Sequence, residues 1–197
     1  FGPHPQYFFA RAAHELAIFI DKVNDIEIVA DEVTTNTNFN GTDINNFEDL
    51  LNFAELVKFP SHAIILRNVK DSNSDIFKGI TARDELHDAY YFLLNKYGCV
   101  FAETDMRAMH NPTRMIAIEK VFEKLIVKLN NHCPKCNAVG FDIENVTRGL
   151  PCSRCGIKTR SILAHIYQCK LCSYTEDRIY PNHILTENPM YCDFCNP

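Results

Sequence analysis

Apolar positions in the first 130 residues follow two rhythms. From Glu15 to Asp21 the alternating residues Leu16, Ile18 and Ile20 share one side, and from Ile26 to Val33 the residues Ile26, Ile28 and Ala30 do the same. A period of two marks a half-buried strand. Lys22-Val23-Asn24-Asp25 between them reads as a turn, so a β-hairpin is expected; a helix over Ala10 to Lys22 is the competing reading. Asn36 to Thr42 reads as a polar loop. Asn45 with Glu48 has the form of a capping box, and Phe47, Leu50, Leu51 and Ala54 follow at helical spacing until Pro60. His62 to Val69 is a short apolar run, read as a buried strand, with a polar loop from Lys70 to Asp75. Thr81 with Asp84 offers a second capping box, ahead of a stripe of Leu86, Ala89, Tyr90, Leu93 and Tyr97 that Gly98 should stop. Cys99 to Thr104 reads as the next strand. Pro112 to Leu129 reads as a helix, with Met115, Ile118, Phe122, Leu125 and Leu129 inward and Glu119, Lys120, Glu123 and Lys124 outward. Strands alternating with helices predict an α/β fold: a parallel or mixed sheet with flanking helices, to which the hairpin adds an antiparallel edge.

Past Asn130 the helical rhythm fades and cysteines with turn residues take over, so the chain divides into an α/β domain over 1–130 and a cysteine-rich region over 131–197. Eight of the nine cysteines form four C-x2-C pairs: Cys133/Cys136, Cys152/Cys155, Cys169/Cys172 and Cys192/Cys195. Two intervening residues let both thiolates of a tight turn face one ion, and four thiolates close a tetrahedron around zinc. Two structural Zn2+ are therefore expected in a tandem zinc-ribbon region. A closed four-thiolate site leaves no position for water or substrate, which argues against catalysis at these metals. Sequential pairing joins Cys133/Cys136 to Cys152/Cys155 and Cys169/Cys172 to Cys192/Cys195, and both gaps suit the usual ribbon spacing. That pairing is favoured; an interleaved cross-brace also supplies four ligands per ion. A disulfide framework fits repeated adjacent pairs less well than metal does.

Charge narrows the partners. The formal net charge is −5. Residues 1–130 carry 13 basic and 19 acidic residues; residues 131–197 carry 7 and 6. Two zinc ions on eight thiolates take the second segment from +1 to about −3. Phosphate-binding ribbons show a basic surplus, and the local group Arg148, Arg154, Lys158 and Arg160 is a weak substitute. No apolar run is long enough for a transmembrane helix, and no secretory signal is visible. Unpaired thiols imply a reducing, cytoplasmic setting. The chain opens Phe1-Gly2-Pro3 without methionine, so further residues are expected upstream.

The segment Glu103-Thr104-Asp105-Met106-Arg107-Ala108-Met109-His110-Asn111-Pro112-Thr113-Arg114 lies between a predicted strand and a predicted helix, where open α/β sheets bind ligands. Asn111 suits the N-cap and Pro112 the first helical position. The helix start could present N–H groups to an anion, with Arg107 and Arg114 as bidentate clamps. Asp105 could hold Mg2+ or take a proton. The alternative is an internal ion-pair network in which Asp105 bridges an arginine and locks the loop. Thr104, Asn111, His4 and Lys78 are further ligand-binding candidates, with Glu103 beside them. His4 sits in a stiff Phe1-Gly2-Pro3-His4-Pro5 turn, and Lys78 precedes Gly79. Cys99 has no histidine partner in sequence and reads as a structural thiol. Phosphate-loop, dinucleotide, nucleophile-elbow and zinc-protease motifs are all absent.

FGPHP at Phe1, TDMRAMHNPTRM at Thr104, CPKC at Cys133, GLPCSRCG at Gly149 and YCDFCNP at Tyr191 resemble the bacterial domain of unknown function family 6671. The resemblance spans nearly the whole chain, and Thr104, Asp105, Arg107, Asn111 and Arg114 fit the family's TDMRA and NPTR pattern. It implies a functional loop and a start further upstream, but no reaction. The first expectation is an α/β domain binding a small anionic, phosphate-bearing ligand, a nucleotide for example, with structural zinc ribbons appended. The second is a non-enzymatic module whose ribbons dock a protein or nucleic acid. No membrane partner is expected.

Overall fold

The structure is a computed structural model; it describes the backbone of residues 2–3 and all of residues 10–197. His4 lies outside the described residues. The chain divides into two compact units: residues 1–17 with 31–122, and residues 18–30 with 123–197.

The hairpin forms as β2 (Arg11–Asp21) and β3 (Ile26–Thr34), with β1 (Gly2–Pro3) antiparallel to β2. In β3 the predicted face, Ile26, Ile28 and Ala30, is the buried one. In β2 the faces are exchanged: Ala13 and Ala17 are buried, while Leu16, Ile18 and Ile20 are exposed. Alternation fixes the period of a strand but not which side it hides. The hairpin belongs to its own three-stranded sheet and is not an edge of the main one.

The main sheet has the order β4-β7-β5-β6, built from β4 (Gly41–Ile44), β5 (Ile64–Arg67), β6 (Phe77–Ile80) and β7 (Val100–Thr104). Helix α1 (Phe47–Leu56) links β4 to β5, and α2 (Arg83–Tyr97) links β6 to β7. All pairs in this sheet are antiparallel, which corrects the expectation of a parallel or mixed sheet. Each crossover skips one position, and an oppositely running strand fills the gap, giving two split β-α-β units. Strands β4 and β6 are only four residues each, too short for a period-two pattern to show in the sequence. One face of the sheet packs with α1 and α2 around Leu50, Phe53, Val57, Ile64, Leu66, Leu86, Leu93, Val100 and Ala102. Each fully buried aliphatic side chain there stabilises by about 1.5–3 kcal/mol.

The helix ends differ in detail from the sequence reading. The cap of α1 is Asn46, whose side chain accepts from the Asp49 N–H, one residue beyond the expected Asn45. Ala82 precedes α2 with no side-chain cap, so the Thr81 capping box does not form. Gly98 ends α2 in the left-handed region, as expected. Helix α3 (Pro112–Asn130) buries Ala117, Val121 and Leu125, whereas Met115 and Phe122 of the predicted stripe are exposed.

In the second unit β8 (Asp142–Arg148), β9 (Ile162–Gln168) and β10 (Thr175–Ile179) form an antiparallel sheet of order β10-β9-β8.

Candidate metal centres and the Asp105 loop

Each C-x2-C pair sits in a knuckle closed by a backbone hydrogen bond to the carbonyl of its first cysteine. Asn137 N–H donates to Cys133, Gly156 to Cys152, Ser173 to Cys169 and Asn196 to Cys192, at 2.8 to 3.0 Å. Asn137, Gly156 and Ser173 all have left-handed backbone, φ 62°, 73° and 58°. Glycine and asparagine tolerate that region best. Further N–H groups point at sulfur, with Lys135 N–H on Cys133 and Arg154 N–H on Cys152, both at 3.4 Å.

The knuckles meet in an interleaved pattern, which corrects the sequential pairing. Cys133, Cys136, Cys169 and Cys172 form one quartet, and Cys152, Cys155, Cys192 and Cys195 the other. The sheet explains why. Strand β8 pairs with β9 so that Asp142 faces Gln168, which brings the first knuckle beside the third. Strand β10 returns along β9 until Ile179 faces Ala164, delivering the fourth knuckle to the second. Sequential pairing would have to span β8, about 20 Å of extended chain.

The quartets fit zinc. Tetrahedral Zn–S bonds of about 2.3 Å place sulfurs about 3.8 Å apart. The observed separations are Cys133–Cys172 3.7 Å, Cys136–Cys169 3.6 Å, Cys152–Cys195 3.9 Å and Cys155–Cys192 3.7 Å. A disulfide needs about 2.05 Å, and all nine cysteines are free thiols. Burial opposes ionisation of Cys133, yet the N–H groups of Cys136 and Lys135 bring it down to about 7. The N–H groups of Cys155 and Arg154 bring Cys152 to about 7 as well. At Cys136 the Ala138 N–H favours the thiolate, but burial and the thiols of Cys172, Cys169 and Cys133 push it to about 12. Cys195 rises to about 12 through the Cys155 thiol, burial and its other neighbours. Four thiolates so close together ionise jointly only around a cation.

The loop from β7 to α3 is built from its own partners. Asp105 is wholly buried. Its carboxylate accepts the Arg107 N–H at 3.1 Å, Nε at 2.9 Å and Nη2 at 2.6 Å. Burial alone would raise the Asp105 carboxyl; the side-chain and backbone hydrogen bonds of Arg107 outweigh it and hold the group below its ordinary range. Arg107 keeps 46% of its side chain exposed. Arg114 is held more completely, donating Nε to Glu15 at 2.7 Å, Nη2 to Glu15 at 3.2 Å and Nη1 to the Met106 carbonyl at 2.5 Å. Asn111, also fully buried, accepts the Arg114 N–H at 2.9 Å and donates to Asn38 Oδ1 at 2.8 Å. Thr104 Oγ1 accepts the Asn40 N–H at 3.1 Å. Glu103 pairs with Arg67.

The start of α3 has little left for an anion. Pro112 has no N–H, the Thr113 N–H donates to His62 Nε2 at 3.2 Å, and the Arg114 N–H goes to Asn111. His62, Asn38, Asn40, Glu15 and Arg67 carry no signal in the sequence, since each lies far along the chain from the loop it braces. Among the described residues the cysteine quartets are the groups that gather metal ligands, and Asp105 spends its oxygens on Arg107 rather than facing a site for Mg2+. Lys78 is exposed on β6. Its neighbour Gly79, φ +75°, lies against the loop: a Cβ there would stand 3.1 Å from the His110 ring and 3.2 Å from Arg107 Nη2. Arg107, His110 and the Lys78–Gly79 backbone thus share one surface.

A family model described as a domain of unknown function, DUF6671, matches the chain from end to end, over residues 1–197. The chain belongs to the DUF6671 family. No curated protein and no solved structure matches it. The DUF6671 assignment brings no activity with it, so the chemistry rests on the geometry above. Among the described residues no helix is long and apolar enough to cross a membrane.

Proposed function

We propose that the protein holds two structural zinc ions and binds a small, phosphate-bearing anion at Arg107. The zinc reading rests on the quartets, whose sulfurs already stand at tetrahedral separations. The anion reading rests on one observation: a fully buried Asp105 grips the Nε–Nη2 side of Arg107 and leaves the guanidinium half exposed beside His110 and Gly79. A guanidinium fixed by a carboxylate behind it loses little freedom when it binds an anion in front. Asp105 then acts as a positioning residue, Arg114 anchors the loop to Glu15, and Lys78 and His110 flank the anion. A reducing, cytoplasmic setting goes with this reading, because the quartets work as thiolates.

The test has two arms. Metal analysis of the purified full chain should give two zinc ions per chain, and a zinc content well below two would sink that half. Thermal shifts of the zinc-loaded protein are then read with pyrophosphate and with nucleoside mono- and triphosphates. A ligand at a hundred times its Kd stabilises by about 2.7 kcal/mol. The shift should vanish in Arg107→Gln and weaken in His110→Gln. A silent panel, or a shift that survives Arg107→Gln, rejects the site.

A further inference from the structure

A small pocket of about 190 Å³ opens within the first unit, lined by Arg11, Asn40, Gly41, Lys70, Phe101 and Glu103. Arg107, His110 and Lys78 are not part of its lining. The volume is that of about six water molecules and falls below the roughly 300 Å³ of pockets that enclose a whole drug-sized ligand. It suits one functional group. Strand register puts Gly41 opposite Glu103 and Arg67 opposite Phe101, so the four share one face of the main sheet. A Cβ at Gly41 would stand 3.0 Å from Phe101 Cζ and 3.3 Å from Glu103 Cβ. Glycine at this register therefore keeps the pocket open between two of its own walls.

The charges of the lining do not cancel. Its one acid, Glu103, is already paired with Arg67, whose Nη1 is tied to the Ser72 carbonyl at 3.0 Å. Arg11 donates Nη1 to the Phe39 carbonyl at 3.2 Å and to Asn40 Oδ1 at 2.5 Å. Both acceptors are neutral, so they hold the guanidinium without compensating its charge. Neither Arg11 nor Lys70 forms an ion pair among the described residues, and residues 1–9 contain no acid that could supply one. Asp43 and Asp49 border Arg11 in a neighbouring depression but do not line this pocket. Asn40 Oδ1 also accepts the Gly41 N–H at 3.0 Å, which leaves its Nδ2 as a neutral donor. With Glu103 and Arg67 neutralising each other, Arg11 and Lys70 are a surplus of two cations. They stand in a segment where acidic residues outnumber basic ones, 19 to 13, so the surplus is local to the pocket.

We propose that this pocket binds the phosphate group of a small phosphate monoester, with Arg11 and Lys70 on its charged oxygens and Asn40 Nδ2 on a third. A phosphate monoester carries about −1.5 to −2 near pH 7, which matches two uncompensated cations. A carboxylate carries half of that and leaves one cation unmatched. The guanidinium supplies a planar pair of donors and the ammonium a point charge, the two modes by which proteins hold phosphate. The pocket encloses the phosphate alone, so the rest of the ester extends into solvent. This reading is independent of the anion site at Arg107.

The experiment titrates the 15N-labelled full chain with glycerol 3-phosphate, inorganic phosphate and acetate at fixed ionic strength. It reads the NMR shifts of the Gly41 amide and the Asn40 side-chain amide. Both phosphates should move these signals to saturation, and acetate should bind about tenfold more weakly or worse. Arg11→Gln and Lys70→Gln should each raise the Kd for glycerol 3-phosphate by about tenfold. Both side chains are exposed, so the rest of the spectrum should stay in place. Arg107→Gln should leave the Kd read at Gly41 and Asn40 unchanged, which separates this pocket from the anion site. Shifts that rise without saturating, acetate binding as tightly as the phosphates, or a Kd indifferent to Arg11→Gln and Lys70→Gln would each overturn the proposal. Binding of inorganic phosphate with glycerol 3-phosphate excluded would overturn the monoester assignment. Loss of the response in Arg107→Gln would assign it to the Arg107 loop instead.

Discussion

At the residue scale, two buried polar groups set the chemistry of the loop. His62 is buried, with Nδ1 against Ser61 Oγ at 2.9 Å and Nε2 against Thr113 Oγ1 at 2.8 Å and the Thr113 N–H at 3.2 Å. Accepting that N–H requires a neutral ring with its proton on Nδ1. Burial first, and Lys58 second, hold its pKa below the ordinary histidine value. Because the folded state resists protonation, the His62 contribution is complete above about pH 6.5 and is lost as pH falls from there through the folded pKa. Urea unfolding from pH 7.5 to 5 should show the wild type losing stability faster than His62→Gln; equal slopes would refute the assignment. The Asp105–Arg107 pair gives an asymmetric expectation. Arg107→Ala leaves a buried carboxylate with a single N–H and should cost about 3 kcal/mol. Asp105→Asn frees an already half-exposed arginine into water and should cost less, about 1–2 kcal/mol. Denaturant midpoints of the two variants decide it, and the reverse order would mean that Asp105 finds another partner. The loop's composition was legible in the sequence because Asp105, Arg107, Asn111 and Arg114 fall within ten residues. Their roles were not, because His62, Glu15 and Asn38 complete the network from distant positions.

At the scale of elements, α3 shows what a sequence signal can and cannot carry. Asn111 and Pro112 predict its start, and the structure places both there. The buried stripe differs from the one that periodicity predicts because α3 is apolar on more than one face: Met115, Ile116, Phe122, Ile126 and Val127 are all exposed alongside the buried Ala117, Val121 and Leu125. Periodicity ranks faces by size of side chain, whereas close approach selects small ones. The hairpin errs in the same direction, burying Ala13 and Ala17 and exposing Leu16, Ile18 and Ile20. The cap itself does more than start the helix, since Asn111 Nδ2 also reaches Asn38 Oδ1 and the Asp105 carbonyl at 3.3 Å. Asn111→Ala should therefore cost about 2 kcal/mol, a cap of about 1 kcal/mol plus the buried bonds. A plain N-cap accepts Asp as readily as Asn. Here Asn111→Asp removes both donors and sets its oxygen against Asn38 Oδ1, so it should also destabilise. Equal stability of Asn111→Asp and wild type in urea would reduce Asn111 to a cap alone.

At the scale of the whole molecule, the four C-x2-C pairs announced two four-cysteine groups able to hold a metal, without saying how they connect. The missing information was the strand between the first and second knuckles, whose sequence Asp142-Ile143-Glu144-Asn145-Val146-Thr147-Arg148 is polar and bulged and does not read as a strand. Once β8 and β9 pair, the gap lengths that suit a ribbon no longer decide the partners; the ends of the sheet do. Interleaving ties the sites into one folding unit, because the first quartet closes when β8 pairs with β9, the second when β10 returns along β9, and β9 is common to both. Zinc stoichiometry separates the two connections. Cys133→Ser and Cys169→Ser should each remove one zinc from the full chain, and the double variant should still retain one, at Cys152, Cys155, Cys192 and Cys195. Sequential pairing would put Cys133 and Cys169 in different sites, and the double variant would then hold none. Cys133→Ser with Cys152→Ser gives the converse, no zinc when interleaved and one when sequential, so the two double variants check each other. Chelation should unfold the β8–β10 sheet outright, because binding a structural zinc supplies folding free energy of about 10–16 kcal/mol in small zinc domains. The core around Leu50, Ile64 and Leu93 uses no metal and should keep α1 and α2 folded, leaving most of the helical circular dichroism after chelation while the amides of β9 lose their protection from exchange.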